Sequence, residues 1–257
     1  MEFFSLDILF ILSLFVVGIF SGIIAGIFGI GGGAIIVPMM IFLGNDIKIA
    51  IGISIMQMTF SSLYGSYINF KKKNLAFKDG LYVGIGGLIG ASFSGFVVQY
   101  VPSNVLEILF IFFIFYAIFK MFKINADGGE RRISESSERV FMLCCGIFVG
   151  VFAISLGIGG GMLIAPLFAY YLGYSSKKII PISLFFVIFS SISGFTSLAL
   201  HGLVDYKQGV IVGIASLIGV QIGIWILSKI NAKKHKIALL LMYLFVLGIM
   251  IEKIIFG

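Results

Sequence analysis

The chain has 257 residues, of which 60% are hydrophobic and 11% charged, and carries a formal net charge of +7. Its mean hydropathy is +1.16. A soluble domain cannot hide that much apolar surface, so an all-α polytopic membrane protein is expected, with no room for a soluble domain. The positive charge falls between apolar runs and reads as a topology signal, not as a nucleic-acid footprint.

The first apolar segment covers 8–28. It does not read as a signal peptide, because Glu2 and Asp7 stand where a basic start is expected and no small-residue cleavage site follows. Next comes "GIFGIGGGAIIVP", with Gly29, Gly31, Gly32 and Gly33 packed into five positions and Pro38 five residues on. Each glycine costs a helix about 1 kcal/mol relative to alanine. The segment that follows, 33–44, is too short to cross a bilayer. Three segments near span length complete the first half, at 48–69, 79–99 and 104–122.

The second half repeats the first. "FGIGGGAIIVP" (28–38) matches "LGIGGGMLIAP" (156–166) at seven of eleven positions, so Gly157, Gly159, Gly160, Gly161 and Pro166 recur at an offset of 128. "SIMQMTFSSLYG" (54–65) matches "SLFFVIFSSISG" (183–194), and "KDGLYVGIGGLIG" (78–90) matches "KQGVIVGIASLIG" (207–219). The second set of segments covers 140–156, 161–173, 177–200, 207–227 and 236–256. The expected organisation is a first transmembrane repeat at 1–122, a polar cytoplasmic linker at 123–139 and a second repeat at 140–257, with about 8–10 membrane segments in all.

Basic residues cluster at 71–78, 120–139, 177–178 and 229–236. If all four clusters are cytoplasmic, 15 of the 18 Lys and Arg lie inside, and only Lys48, Lys207 and Lys253 lie outside. This arrangement makes the halves inverted repeats with both termini outside.

Irregular backbone survives in lipid only where protein or a water-filled cavity covers it. The short helix after each glycine break starts with unpaired N–H groups and a partial positive charge, which suits an anion. Paired interrupted segments in matching positions point to a transporter binding site. The competing reading is tight helix packing by glycine. No Lys-Ser/Thr follows the glycines, so a nucleotide loop is excluded.

The next span adds polar groups. Ser54, Gln57 and Ser61 share one helical face at i, i+3 and i+7, and Ser183 and Ser190 repeat the spacing. Phe186 stands where the first half has Gln57. Met56, Met58 and the many phenylalanines read as packing or lipid-facing residues, and His201 as the outer end of a span. Cys144 and Cys145 are adjacent and lack metal-type spacing. No ionisable residue falls in the middle of a span, which argues against proton coupling and against an intramembrane enzyme. No cofactor or metal is expected.

With these motifs in place the sequence resembles the sulfite exporter TauE/SafE family over nearly its whole length. The resemblance implies transport of sulfite, sulfonates or another small sulfur-containing anion. It carries over Gly29, Gly31–Gly33, Pro38, Ser54 and Ser61–Ser62, with Gly157, Gly159–Gly161, Pro166, Ser183 and Ser190–Ser191. The reading is an exporter in the cytoplasmic membrane that holds its anion between the two breaks. Its partners are the anion and the lipid bilayer, and a homo-oligomer is compatible. An ion-coupled importer and a membrane scaffold built on glycine packing stand as alternatives.

Overall fold

The computed structural model describes residues 8–71, 77–122 and 132–256. Eleven helices and no strand occur among the described residues. In chain order they are α1 (Ile8–Phe28), α2 (Gly33–Phe42), α3 (Ile47–Lys71), α4 (Phe77–Ala91), α5 (Ser94–Tyr100) and α6 (Ser103–Phe122), then α7 (Glu135–Ser155), α8 (Gly161–Tyr171), α9 (Ser176–Leu200), α10 (Tyr206–Lys229) and α11 (Ala232–Phe256). Eight segments are long and apolar enough to cross a membrane, with α4 and α5 together forming one of them. The two short helices, α2 and α8, are the segments that follow the glycine breaks. Lys72, Lys73 and residues 123–131 of the expected linker lie outside the described residues, as does the chain start before Ile8. The linker's last five expected positions, from Glu135 to Arg139, are already helical and open α7.

The centre of the molecule is α3 against α9, each with 67% of its span buried, against 33% for α1, α7 and α11. These two helices carry the serines and Gln57, so the least apolar faces are the ones hidden from lipid. They run in opposite directions, because Gly65 faces Leu184 while Gly194 faces Ile55. Two seams of small residues flank the centre. Gly18, Gly22 and Gly26 of α1 meet Ala215, Ser216 and Val220 of α10 in the same order, so these helices are parallel. Gly86 and Gly90 of α4 meet Leu143 and Ile147 of α7 in the same way. A Cβ on Gly22 would stand 2.1 Å from the Ser216 carbonyl oxygen, and one on Gly90 2.2 Å from that of Ile147. Lipid supplies no hydrophobic drive between helices, so such backbone approach, with its dispersion gain, holds the seams.

One end of the bundle joins the start of α3 to the end of α5 and the start of α10. Lys48 Nζ donates to the Gln99 carbonyl at 3.0 Å, and Gln208 Nε2 donates to Asn45 Oδ1 at 3.1 Å. Cation–aromatic pairs mark the ends of other helices. Arg132 lies 3.8 Å from the Tyr170 ring centre, Lys178 3.6 Å from that of Tyr174, and Lys120 4.4 Å from that of Tyr170. Charged heads over aromatic rings suit the rim of a membrane span.

The α4–α5 span is broken at Ser92 and Phe93, whereas its repeat counterpart α10 is continuous. A single hydroxyl of α9 serves both open ends of the break. Ser197 Oγ donates to the Ser92 carbonyl at 2.7 Å and accepts the Gly95 N–H at 2.9 Å. A span can break inside lipid when a neighbour supplies the missing partners.

Candidate functional site

From the sequence, Pro38 and Pro166 read as structural helix-break prolines of the short segments. Both helices instead run through them, Pro38 within α2 and Pro166 within α8. The breaks lie at the glycines. A proline removes one N–H and frees the carbonyl four residues earlier. For Pro166 that carbonyl belongs to Met162, and the buried Tyr243 hydroxyl of α11 donates to it at 3.4 Å.

The two glycine breaks meet at the centre of the molecule. Every residue of 29–33 and 157–161 is buried. Gly29, Gly31, Gly32, Gly157 and Gly159 have φ between +64° and +84°, a region that other residues rarely adopt. Gly33, Gly160 and Gly161 do not, and contact explains them instead. A Cβ on Gly33 would stand 2.2 Å from the Gly157 oxygen, and one on Gly161 2.4 Å from the Gly29 oxygen. The two breaks therefore touch backbone to backbone. The Met58 sulfur fills the space between them, 2.9–3.1 Å from where Cβ atoms on Gly31, Gly33 and Gly159 would sit. Met58 is thus central packing, not a lipid-facing residue.

The candidate hydroxyls separate into two groups. Ser54 Oγ donates across the halves to the Gly157 carbonyl at 2.7 Å, and Ser61 Oγ donates to the Gly31 carbonyl at 3.0 Å. Ser190 Oγ bonds the Phe186 carbonyl of its own helix at 3.0 Å. Ser62 and Ser191 likewise bond only carbonyls three residues back. Ser183, the counterpart of Ser54, is buried and has no hydrogen-bond partner.

Gln57 is the exceptional group. It is fully buried, and neither its Nε2 nor its Oε1 has a hydrogen-bond partner. Its Nε2 lies 3.1 Å from where a Gly32 Cβ would sit, so the amide stands beside the residue that caps α2. Leaving a buried amide unpaired costs about 1–3 kcal/mol per group. Such a group at a helix N-terminus is suited to an anion, with the amide N–H and the first-turn N–H groups as donors.

The second break is furnished differently. Phe186 occupies the Gln57 position, and a Cβ on Gly160 would fall 1.8 Å from its ring. The same ring stands 2.3 Å from where a Gly87 Cβ would be, so it is wedged between α8 and α4. The backbone differs as well, since Gly160 has φ −64° where Gly32 has φ +84°.

Two histidines carry little sequence signal, one beside this site and one away from it. His235, from the basic stretch before the last span, is 2% exposed, and its Nε2 lies 3.0 Å from the Ile27 carbonyl, just before the first break. His201 was expected only at a span end, and there its Nδ1 lies 2.7 Å from the Ser197 carbonyl. Among the described residues, no group of three or more His, Cys, Asp or Glu could hold a metal.

Comparison with known proteins fits this architecture. The chain is 30% identical over 244 residues to MJ0441 of Methanocaldococcus jannaschii, named a probable membrane transporter protein, covering 88% of this chain and 90% of that one. It is 26% identical over 206 residues to YdhB of Bacillus subtilis, covering 79% and 84% respectively. It is also 26% identical over 245 residues to YunE of the same organism, covering 86% and 89%, and both Bacillus proteins bear the same description. No solved structure matches the chain. The family model for the sulfite exporter TauE/SafE family matches residues 14–250, and with eight candidate spans behind that match the chain belongs to this family of multi-pass membrane transporters.

Proposed function

We propose that the protein exports a small sulfur-containing anion, such as sulfite or an organosulfonate, across the cytoplasmic membrane. The anion binds at the glycine breaks between the two halves. The observation that carries this reading is the buried, unpartnered Gln57 amide beside the N-terminus of α2. Packing alone accounts for the glycines but leaves that amide without a purpose. The Ser183 hydroxyl, buried without a partner, is the next donor, whereas the single O–H of Ser54 is taken by the Gly157 carbonyl in this conformation. The helix end contributes about 0.3–2 kcal/mol. That is too little to replace the hydration of an anion, so the side-chain donors and retained water must share the load.

Access requires the two halves to part, since the breaks are in backbone contact in this conformation. The halves act as inverted repeats with both termini outside. The antiparallel run of the matching helices α3 and α9 supports this, as does the grouping of basic residues. The halves then rock about the site to give alternating access.

Export follows from energetics. An inside-negative potential drives an anion outward with about 2.3 kcal/mol per charge per 100 mV, so no coupling ion is required. The direct test is flux of sulfite and of propanesulfonate in proteoliposomes containing the purified protein. Saturable flux that Gly32→Val abolishes, in protein that still inserts, supports the reading. Flux unchanged by that substitution overturns the site.

A further inference from the structure

Gln57 and Phe186 occupy the same place in the two repeats, and each lies against the glycine before its short helix. The first break is therefore faced by an amide with no partner, the second by a phenyl ring. Around the second break the ring is wedged against Gly87, the Met58 thioether lies between the breaks, and a Val187 methyl lies against Gly31 of the first. Met58, Phe186 and Val187 are all fully buried. The helix N-terminus of α2 thus has a polar side chain beside it, while that of α8 has a phenyl ring.

We propose that this pair makes the substrate site polar at one end and apolar at the other, with Phe186 as a specificity-determining residue. The ligand class it selects is an anion with a single charged group on a short organic remainder. The charged group goes to Gly32 and Gln57, and the organic part goes toward Met58 and Phe186. A bare oxyanion is disfavoured, because it presents charge and lone pairs on every side. Its far side would have to give up water to a phenyl ring and a thioether, which cannot donate strong hydrogen bonds in return. A flexible thioether suits an organic group of variable shape. The inference rests on the site reading above and adds an orientation to it.

Titration calorimetry of the full-length protein in nanodiscs tests the proposal with two probes, propanesulfonate and sulfite. Propanesulfonate should bind the unmodified protein at least tenfold more tightly. Phe186→Gln should lower that preference at least tenfold by placing an amide at the second break. Gln57→Leu should weaken both probes together and leave their ratio unchanged. Sulfite binding as tightly as propanesulfonate to the unmodified protein overturns the proposal, and this measurement needs no variant. A ratio unmoved in Phe186→Gln protein that still binds also overturns it. In both of those cases the site itself survives if Gly32→Val and Gln57→Leu still abolish or weaken binding. If those two variants bind both probes normally, or if neither probe binds the unmodified protein, the site reading fails and the proposal with it.

Discussion

The Ser54 hydroxyl of the first half donates to the Gly157 carbonyl of the second, 2.7 Å away, in the middle of the molecule. Gly157 opens the second glycine break, so this bond ties the irregular backbone of one half to a regular helix of the other. Ser61 does the same within the first half, through the Gly31 carbonyl. Ser190 holds only its own helix.

Serine-to-alanine substitutions should therefore rank by what they leave behind. Ser54→Ala strands a buried carbonyl and should cost about 1–3 kcal/mol. Ser190→Ala strands nothing, because the Phe186 carbonyl it contacts is that of residue i−4 within a regular helix, so its cost should be near zero. Melting curves of the two variants in detergent check the ranking. Equal melting temperatures would show that the cross-half bond contributes nothing.

The glycines at matching positions should fail for different reasons. Gly32→Ala forces a side chain onto φ +84° and sets its Cβ 2.6 Å from the Ser21 carbonyl, which is backbone and cannot swing aside. Gly160→Ala keeps an ordinary φ of −64°, and the three atoms nearest its Cβ all belong to the Phe186 ring. The double variant Gly160→Ala/Phe186→Ala should therefore recover much of the melting temperature lost by Gly160→Ala. Trimming Gln57 should rescue nothing in Gly32→Ala. Interaction energies between touching residues of this kind run to about 0.5–3 kcal/mol. Strict additivity at position 160 would show that the ring is not what the glycine accommodates.

Much of this arrangement could be read from the sequence. The duplication located both breaks, and segment lengths separated the eight spans from the two short helices, because lipid imposes a length that apolar runs must obey. The i, i+3, i+7 spacing placed Ser54, Gln57 and Ser61 on one face, and the structure brings that face to the breaks. What could not be read was which side chain of another helix fills each break. Phe186 is one of 28 phenylalanines, and nothing local distinguishes a ring wedged at a helix N-terminus from one facing lipid. The α4–α5 interruption was also hidden, since its open ends are satisfied by Ser197, more than a hundred residues away. His235 stands among lysines and reads as loop, yet it is buried against the Ile27 carbonyl. Long-range partners of this kind leave no periodic trace.

Inverted topology gives a direct expectation for labelling. Single cysteines at Arg139, Lys178 and Lys234, in a background without Cys144 and Cys145, should react with a membrane-impermeant reagent only from the cytoplasmic side. One at Ser103 should react only from outside. Ser103 bonds Asp46, and Lys48 bonds Gln99, so the joined ends of α3, α5 and α6 share one face. Labelling of positions 178 and 234 from opposite faces would rule out the inverted arrangement.

The charge pattern also predicts what drives transport. The three atoms nearest each glycine of the breaks belong to backbone or to uncharged side chains, and His235 lies just before the first break, 3.0 Å from the Ile27 carbonyl and with its ring 5.2 Å from that of Phe28. A carrier whose anion is held by backbone N–H groups, the Gln57 amide and serine hydroxyls should move the anion down the electrical gradient alone. In proteoliposomes with equal salt and pH on both sides, a potential set by potassium and valinomycin should drive the anion toward the positive compartment. At about 2.3 kcal/mol per charge per 100 mV, that amounts to a gradient of roughly 50-fold for a monoanion. A dianion would feel twice the energy, so the steady gradient also reports the charge carried per cycle. His235→Gln should leave this voltage dependence intact, because a neutral amide can still donate to the Ile27 carbonyl. Flux that appears only with an inward proton or sodium gradient, and ignores the imposed potential, would make the protein a coupled importer instead.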